Sequence, residues 1–304
     1  MSNVSELELA VRENFRKIYT GIPEKDVISM ARAAITSGGY TLGPDSLEKP
    51  GVPKGRLVDG SITSQIYPNS YRTYQVYLPA GYDPAVAYPF TIFLDGMSYY
   101  LSADVNANIA LDNLIAEKRI PAMIGIFLEP GDKGEGMPIW GGAYEDPLSN
   151  RSFEYDSTDD TFARFLLEEL LPQISAEFKL TDDPDLRCLC GASSGGQAVF
   201  NAAWHRPDSF RKVMSFIGSF TSMRGGDCNP VRIRKSPRKP LRVFLQDGEA
   251  DANIIYGDMV LANKTMASAL EYRDYDYKFV LGKGGHNFIH IGAILPEALE
   301  WTWR

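Results

Sequence analysis

The chain has 304 residues, and 39 acidic against 31 basic side chains leave a net charge of −8. Hydrophobic residues make up 44% and charged residues 23%, values that exclude a disordered, collagen-like or coiled-coil protein. The acidic balance argues against a nucleic-acid or anionic-membrane binder, because phosphate binding needs a basic face.

In chain order, Val4, Leu7, Val11, Phe15 and Ile18 recur at steps of three and four and predict an amphipathic helix. A second helix is expected with Pro23 at its first position, an apolar stripe of Val27, Met30, Ala31, Ala34 and Ile35, and a stop at Gly38-Gly39. Residues 40–54 read as linker, so residues 1–54 form a helical extension and residues 55–304 the main domain. From Gly55 the period becomes two, and two runs flanking Pro68-Asn69-Ser70 predict an antiparallel strand pair. Then come FTIFLDG, AMIGIFLEP, LRCLCGAS, KVMSFIGSF, LRVFLQDG and YDYKFVLG, short continuous apolar runs expected of parallel strands buried on both faces. Helical patterns over 104–118, 157–178, 195–205 and 257–272 alternate with them. The expected fold is therefore α/β, a mostly parallel doubly wound sheet with an antiparallel N-terminal strand pair. Residues 131–156, rich in Gly and polar side chains, read as a long loop.

Three cysteines, Cys188, Cys190 and Cys228, give no disulfide framework. The N-terminus lacks a signal-peptide run and no stretch of about 18 apolar residues occurs. The expected location is cytoplasmic, or secreted or periplasmic had a signal peptide been removed.

Gly191-Ala192-Ser193-Ser194-Gly195 lies between a buried strand and a helix, the setting of a G-x-S-x-G nucleophile elbow. Such a turn lifts the Ser193 hydroxyl above the sheet and brings it to a helix N-terminus, where backbone N–H groups meet a developing oxyanion. Ser194 is the rival register. The hydroxyl needs a base. Of three histidines, His205 lies about 15 Å along the same helix, whereas His286 follows the last strand in a glycine-rich loop. His290, four residues on, is a candidate pocket residue or a satisfied core histidine. As a zinc pair His286 and His290 lack a glutamate and a third ligand, so no metal or other cofactor is expected. Chain order in an elbow-bearing sheet places the acid after LRVFLQDG. Asp251 is preferred and Glu249 is the alternative, with Asp247 as a turn residue. Oxyanion donors are expected from the N–H of Ser194 and of Met97, after the strand ending Asp95-Gly96.

With FLDG, NRSFEYDS, GASSGG, RPDSFRKVMSFIGSF, VFLQDGEAD and GGHNFIHIGAILPEALEWTWR in place, the chain over about residues 55–304 resembles the α/β-hydrolase-fold esterase family that includes enterochelin, feruloyl and acetylxylan esterases and mycolyltransferases. The resemblance is to its enterochelin-esterase-like members, which carry a β-sandwich domain where this chain has its helical extension. It implies Ser193 as nucleophile, His286 as base, Met97 and Ser194 as oxyanion donors, and an R-x-x-E element, Arg151 and Glu154, near the site. Arg151 is the candidate for a substrate carboxylate or carbonyl. Trp140, Tyr144, Phe153 and Tyr155 are candidates to stack on a substrate ring or to pack the loop. Six basic residues between Thr221 and Pro240 read as a solvated loop or an anion-attracting patch. The expected partner is a small ester; acyl transfer by the same triad and a catalytically silent ligand-binding scaffold are the alternatives, and oligomeric state stays open.

Overall fold

In a computed structural model, which describes residues 5–134 and 136–304, the apolar runs pair into one eight-stranded sheet. Its strands are β1 (Arg56–Ser64), β2 (Ser70–Leu78), β3 (Phe90–Leu94), β4 (Ile124–Leu128), β5 (Arg187–Ala192), β6 (Lys212–Phe216), β7 (Arg242–Gly248) and β8 (Asp276–Gly282). Their spatial order is β1-β2-β4-β3-β5-β6-β7-β8. Only β2 runs against its neighbours, pairing antiparallel with both β1 and β4. The chain leaves β3 toward β4 on one side and returns through β5 on the other. The ends of β3 and β5 therefore flank a topological switch point, where open α/β sheets bind ligands.

Helices α1 (Glu6–Ile18) and α2 (Glu24–Ile35) precede the sheet. Ser5 caps α1 by accepting the Glu8 N–H, and acidic residues open and basic residues close that helix, as its dipole favours. Val4 lies outside the described residues. Pro23 is the residue before α2 rather than its first, its extended ψ of 143° starting the helix at Glu24. Then follow α3 (Ala107–Ala116) and α4 (Asn150–Tyr155), which occupies the end of the segment read as loop. The expected helix over 157–178 is α5, an α-helical turn (Thr161–Arg164), a π-helical stretch (Phe165–Leu170) and a second α-helical turn (Leu171–Ser175). The remaining helices are α6 (Ser194–His205), α7 (Asn229–Lys235), α8 (Met259–Tyr272) and α9 (Phe288–Trp303). Helix α7 lies in the basic segment read as loop. There Arg232 donates to Asn201 Oδ1 at 2.9 Å and Arg224 to Pro147 O at 2.7 Å, so these cations tie elements together.

Strand alternation explains the continuous apolar runs. Ile92 and Leu94 face one layer with Leu189, Phe200 and Met266, while Phe93, Cys188 and Cys190 face the other with Leu111, Leu295 and Leu299. Both faces are covered by helices, so the inner strands are apolar at nearly every position, with Thr91, Ser215, Gln246 and Asp247 as buried polar exceptions.

Candidate active site

Ser193 sits between β5 and α6 with φ 58° and ψ −125°, a left-handed backbone that a non-glycine residue adopts only under constraint. The turn is held by the Ser193 N–H on Phe216 O at 3.0 Å and by Ser219 N–H on Ser193 O at 3.0 Å. A Cβ at Gly191 would stand 2.4 Å from Gly195 O, so the elbow closes only with glycine there.

Three side chains from three loops converge at this turn. Ser193 Oγ lies 2.8 Å from His286 Nε2, and His286 Nδ1 lies 2.8 and 3.0 Å from the two Asp251 oxygens. Asp251 has no exposed side chain. Burial alone would raise its pKa, but the His286 charge and hydrogen bonds, from His286 above all, bring it below the ordinary carboxylate value. Glu249 is exposed and only its backbone N–H is used, on Gly282 O. Asp247 is fully buried behind Asp251, accepts the Gly248 N–H at 2.8 Å, and has its pKa pushed up by burial and by the Asp251 carboxylate. Asp247 is thus a second carboxyl of the site, hidden from sequence reading because its neighbours there, Gln246 and Gly248, mark an ordinary turn.

Ser194 opens α6, so its N–H has no partner inside the helix. Its hydroxyl faces the buried Asp156. Met97 is half-buried in a π-helical turn, Gly96–Tyr100, that begins after Asp95 at φ 54°. The Glu129 carboxylate, its pKa raised by burial, accepts the Ser98 N–H and hydroxyl at 2.8 Å each and has the Met97 N–H beside it. Ser219, to which the sequence reading gave no role, places its hydroxyl 3.1 Å from Ser193 Oγ.

The other candidate residues take the following places. Arg151 is 6% exposed and its guanidinium forks onto Asp95 through Nε and Nη2 at 2.8 and 2.7 Å, so the planar fork is engaged inside the protein and only Nη1 is left without a partner among the described residues. Glu154 is fully buried and pairs with Arg72 at 2.8 Å while accepting the Gly131 N–H, so it is internal scaffold. His290 is 3% exposed, its Nδ1 accepts from Gln246 Nε2 at 2.8 Å and its ring stacks on Tyr40 at 3.9 Å, so of its two readings the structure shows the satisfied core histidine. Tyr144 and Tyr155 are buried packing residues. Trp140 remains 42% exposed, edge-on to Tyr99 at 6.3 Å with Arg151 over its ring. His205, at the far end of α6, bonds Thr158 O. His286 and His290 address different partners, and among the described residues no group of three or more His, Cys, Asp or Glu is assembled for a metal. Among these residues no helix is long and apolar enough to cross a membrane.

Comparison with known proteins adds the following. A curated relative, the uncharacterized protein YbbA of Bacillus subtilis (strain 168), is 25% identical over 242 residues, 76% of this chain and 92% of that one. The iron(III) enterobactin esterase of Dickeya dadantii (strain 3937) is 26% identical over 228 residues, 70% of this chain and 47% of that one. The chain thus spans about half the length of that esterase. Ferric enterobactin esterase from Salmonella typhimurium has a TM-score of 0.67 at 21% identity, covering 86% of this chain and 61% of that one. A CE1 ferulic acid esterase from Anaeromyces mucronatus has a TM-score of 0.67 at 19% identity, covering 86% and 95%. These two show the shared fold. The sequence profile described as "Putative esterase" matches residues 65–301, well over half of the chain, and the protein therefore belongs to this family of α/β-hydrolase-fold esterases.

Proposed function

We propose that the protein is a serine esterase that hydrolyses a small carboxylic ester through an acyl-enzyme, with residues 55–304 as its catalytic domain. The observation that supports this most is the unbroken hydrogen-bond chain from Ser193 through His286 to Asp251 at a strained strand–helix turn. In this reading Ser193 Oγ attacks the ester carbonyl while His286 Nε2 takes its proton. The carbonyl oxygen gains the negative charge and is met by the N–H of Ser194, at the positive end of α6, and by that of Met97, which now faces the Glu129 carboxylate and must turn from it to donate. Collapse expels the alcohol, which leaves with the proton from Nε2. A water then gives its proton to Nε2, attacks the acyl carbon, and frees the acid with Ser193 reprotonated. Asp251 fixes the tautomer that leaves Nε2 as the acceptor and stabilises the imidazolium formed in each half. Ser219 holds the Ser193 hydroxyl rotamer.

The names of its relatives place siderophore-like and hydroxycinnamoyl esters at the head of a substrate panel, with aryl and acyl-sugar esters beside them, and the exposed Trp140 ring is the surface offered to such a group. Fluorophosphonate is expected to add once per chain at Ser193, and Ser193→Ala to abolish both labelling and turnover. A preparation that turns over the panel while Ser193 stays unlabelled would sink the reading.

A further inference from the structure

Resting on the serine-esterase reading, we propose that α2 of the N-terminal extension positions the catalytic histidine, with Asn287 and Gly285 as the residues through which it acts. The family match begins at residue 65, yet the loops that bear the base and the acid are both built against α2. At the base, the Asn287 side-chain amide donates to Ala33 O at 3.2 Å and Thr36 O at 2.8 Å. The Gly285 N–H donates to Thr36 O at 2.8 Å. These carbonyls lie at the C-terminal end of α2, where helix carbonyls lack intrahelical partners. His286 is thus flanked on both sides by residues that bond the extension. Just beyond α2, Tyr40 stacks on His290 and its hydroxyl accepts the Lys283 N–H at 3.1 Å.

At the acid, Ser29 Oγ accepts the Asn253 N–H at 2.9 Å and Asp26 accepts the Ile255 N–H at 2.8 Å, two and four residues past Asp251. Asp26 also takes the Tyr144 hydroxyl at 2.9 Å, and Tyr19-Thr20 pairs with Gly142-Ala143, so the long loop is held by the same extension. The approach is close: a Cβ at Gly285 would stand 2.1 Å from Ala33 O, a backbone atom that cannot turn aside. The two loops also bond each other, Ala250 N–H to Gly284 O at 3.1 Å, so α2 bears on both at once, and a shift of about 1 Å in a reacting group costs on the order of a hundredfold in rate.

Two full-length variants test this. Gly285→Ala inserts a methyl group between the loop and α2. Asn287→Ser keeps an N-cap oxygen for α9, which Asn287 now supplies to the Ile289 N–H, but is too short to reach both carbonyls. Each is expected to lower kcat by about tenfold or more with KM within about twofold, and to slow fluorophosphonate labelling of Ser193 by the same factor. In a His286→Ala background neither is expected to lower the residual rate further, because a group that acts through the imidazole has nothing left to act on. Wild-type kcat and labelling in Asn287→Ser, or an equal further loss in the His286→Ala background, would overturn the proposal. If Gly285→Ala fails to fold, Asn287→Ser decides. Absence of labelling in the wild type is a different result and removes the esterase reading itself.

Discussion

Ser193 and Ser194 are adjacent and chemically alike, yet the backbone gives them opposite surroundings. The first points to His286, while the second opens α6 with an N–H that has no partner inside the helix and turns its hydroxyl toward buried Asp156. Ser193→Ala is expected to lower kcat by several orders of magnitude, and Ser194→Ala to stay within about tenfold, because a backbone donor survives side-chain removal. Reversal of the two in steady-state kinetics would move the nucleophile by one residue. At the acid, Asp251→Asn should cost up to about 10⁴ in rate and Glu249→Gln almost nothing. Asp247 separates stability from activity. Its pKa is raised in the folded state, first by burial and then by Asp251, so its contribution to stability is complete below the ordinary carboxylate range and is lost as pH rises toward the raised value. Asp247→Asn removes this titration, and its melting temperature should gain on the wild type as the pH is raised from 5 to 9 in a thermal scan; parallel curves would refute it. The elbow was legible because its signal is local: small residues between a strand and a helix. Asp247 and Ser219 were not, since their roles depend on which atoms stand beside them after folding.

At the scale of elements, α4 is fastened by two buried ion pairs that join it to β2 and to the end of β3. Arg72 on β2 pairs with Glu154, and Arg151 with Asp95 while its Nη2 reaches Ala192 O at 3.5 Å. The Arg151 fork therefore spans from the turn that carries Met97 to the residue before Ser193. Arg151→Ala would leave Asp95 buried and unpaired, a loss of about 3–5 kcal/mol for such a pair. Chemical denaturation should show a lower midpoint, and KM should move less than stability. A raised KM with unchanged stability would instead restore Arg151 as a substrate contact. The partners lie 56 and 82 residues apart in sequence, and no spacing rule links charges over such a distance; R-x-x-E therefore reads as a site element when its charges are already spent. Helix α7 escaped for a related reason: its buried residues are Asn229, Pro230 and Ile233 among basic neighbours, too few apolar positions for periodicity to register. The π-helical turns are equally silent, because one extra residue per turn shifts the apolar stripe without removing it.

For the whole molecule, the continuous apolar strands predicted both the parallel sheet and its two covered faces, and the sheet order follows from chain direction once β3 and β5 are neighbours. The periodicity of the first residues marks α1 and α2, but the docking of α2 on the loops of His286 and Asp251 was not legible, since it runs largely through backbone carbonyls of α2. Two thiols report on the integrity of the sheet. Cys188 and Cys190 are fully buried on β5, and burial pushes the Cys188 thiol up to about 12, whereas Cys228 is half-exposed. A thiol reagent should titrate one cysteine in the native protein and all three after denaturation, because reactivity needs both access and thiolate. Three fast thiols in the native protein would show that the sheet opens readily.

The backbone of Ser193 has a consequence for heat resistance. Its φ and ψ suit glycine far better than any residue with a side chain, and strain of this kind amounts to about 1–3 kcal/mol. Ser193→Gly, which has no hydroxyl to offer, should therefore melt at a higher temperature than the working protein. In the serine-esterase reading, selecting variants for survival at high temperature alone would enrich inert molecules, so such a selection must be coupled to turnover if the protein is to keep the serine.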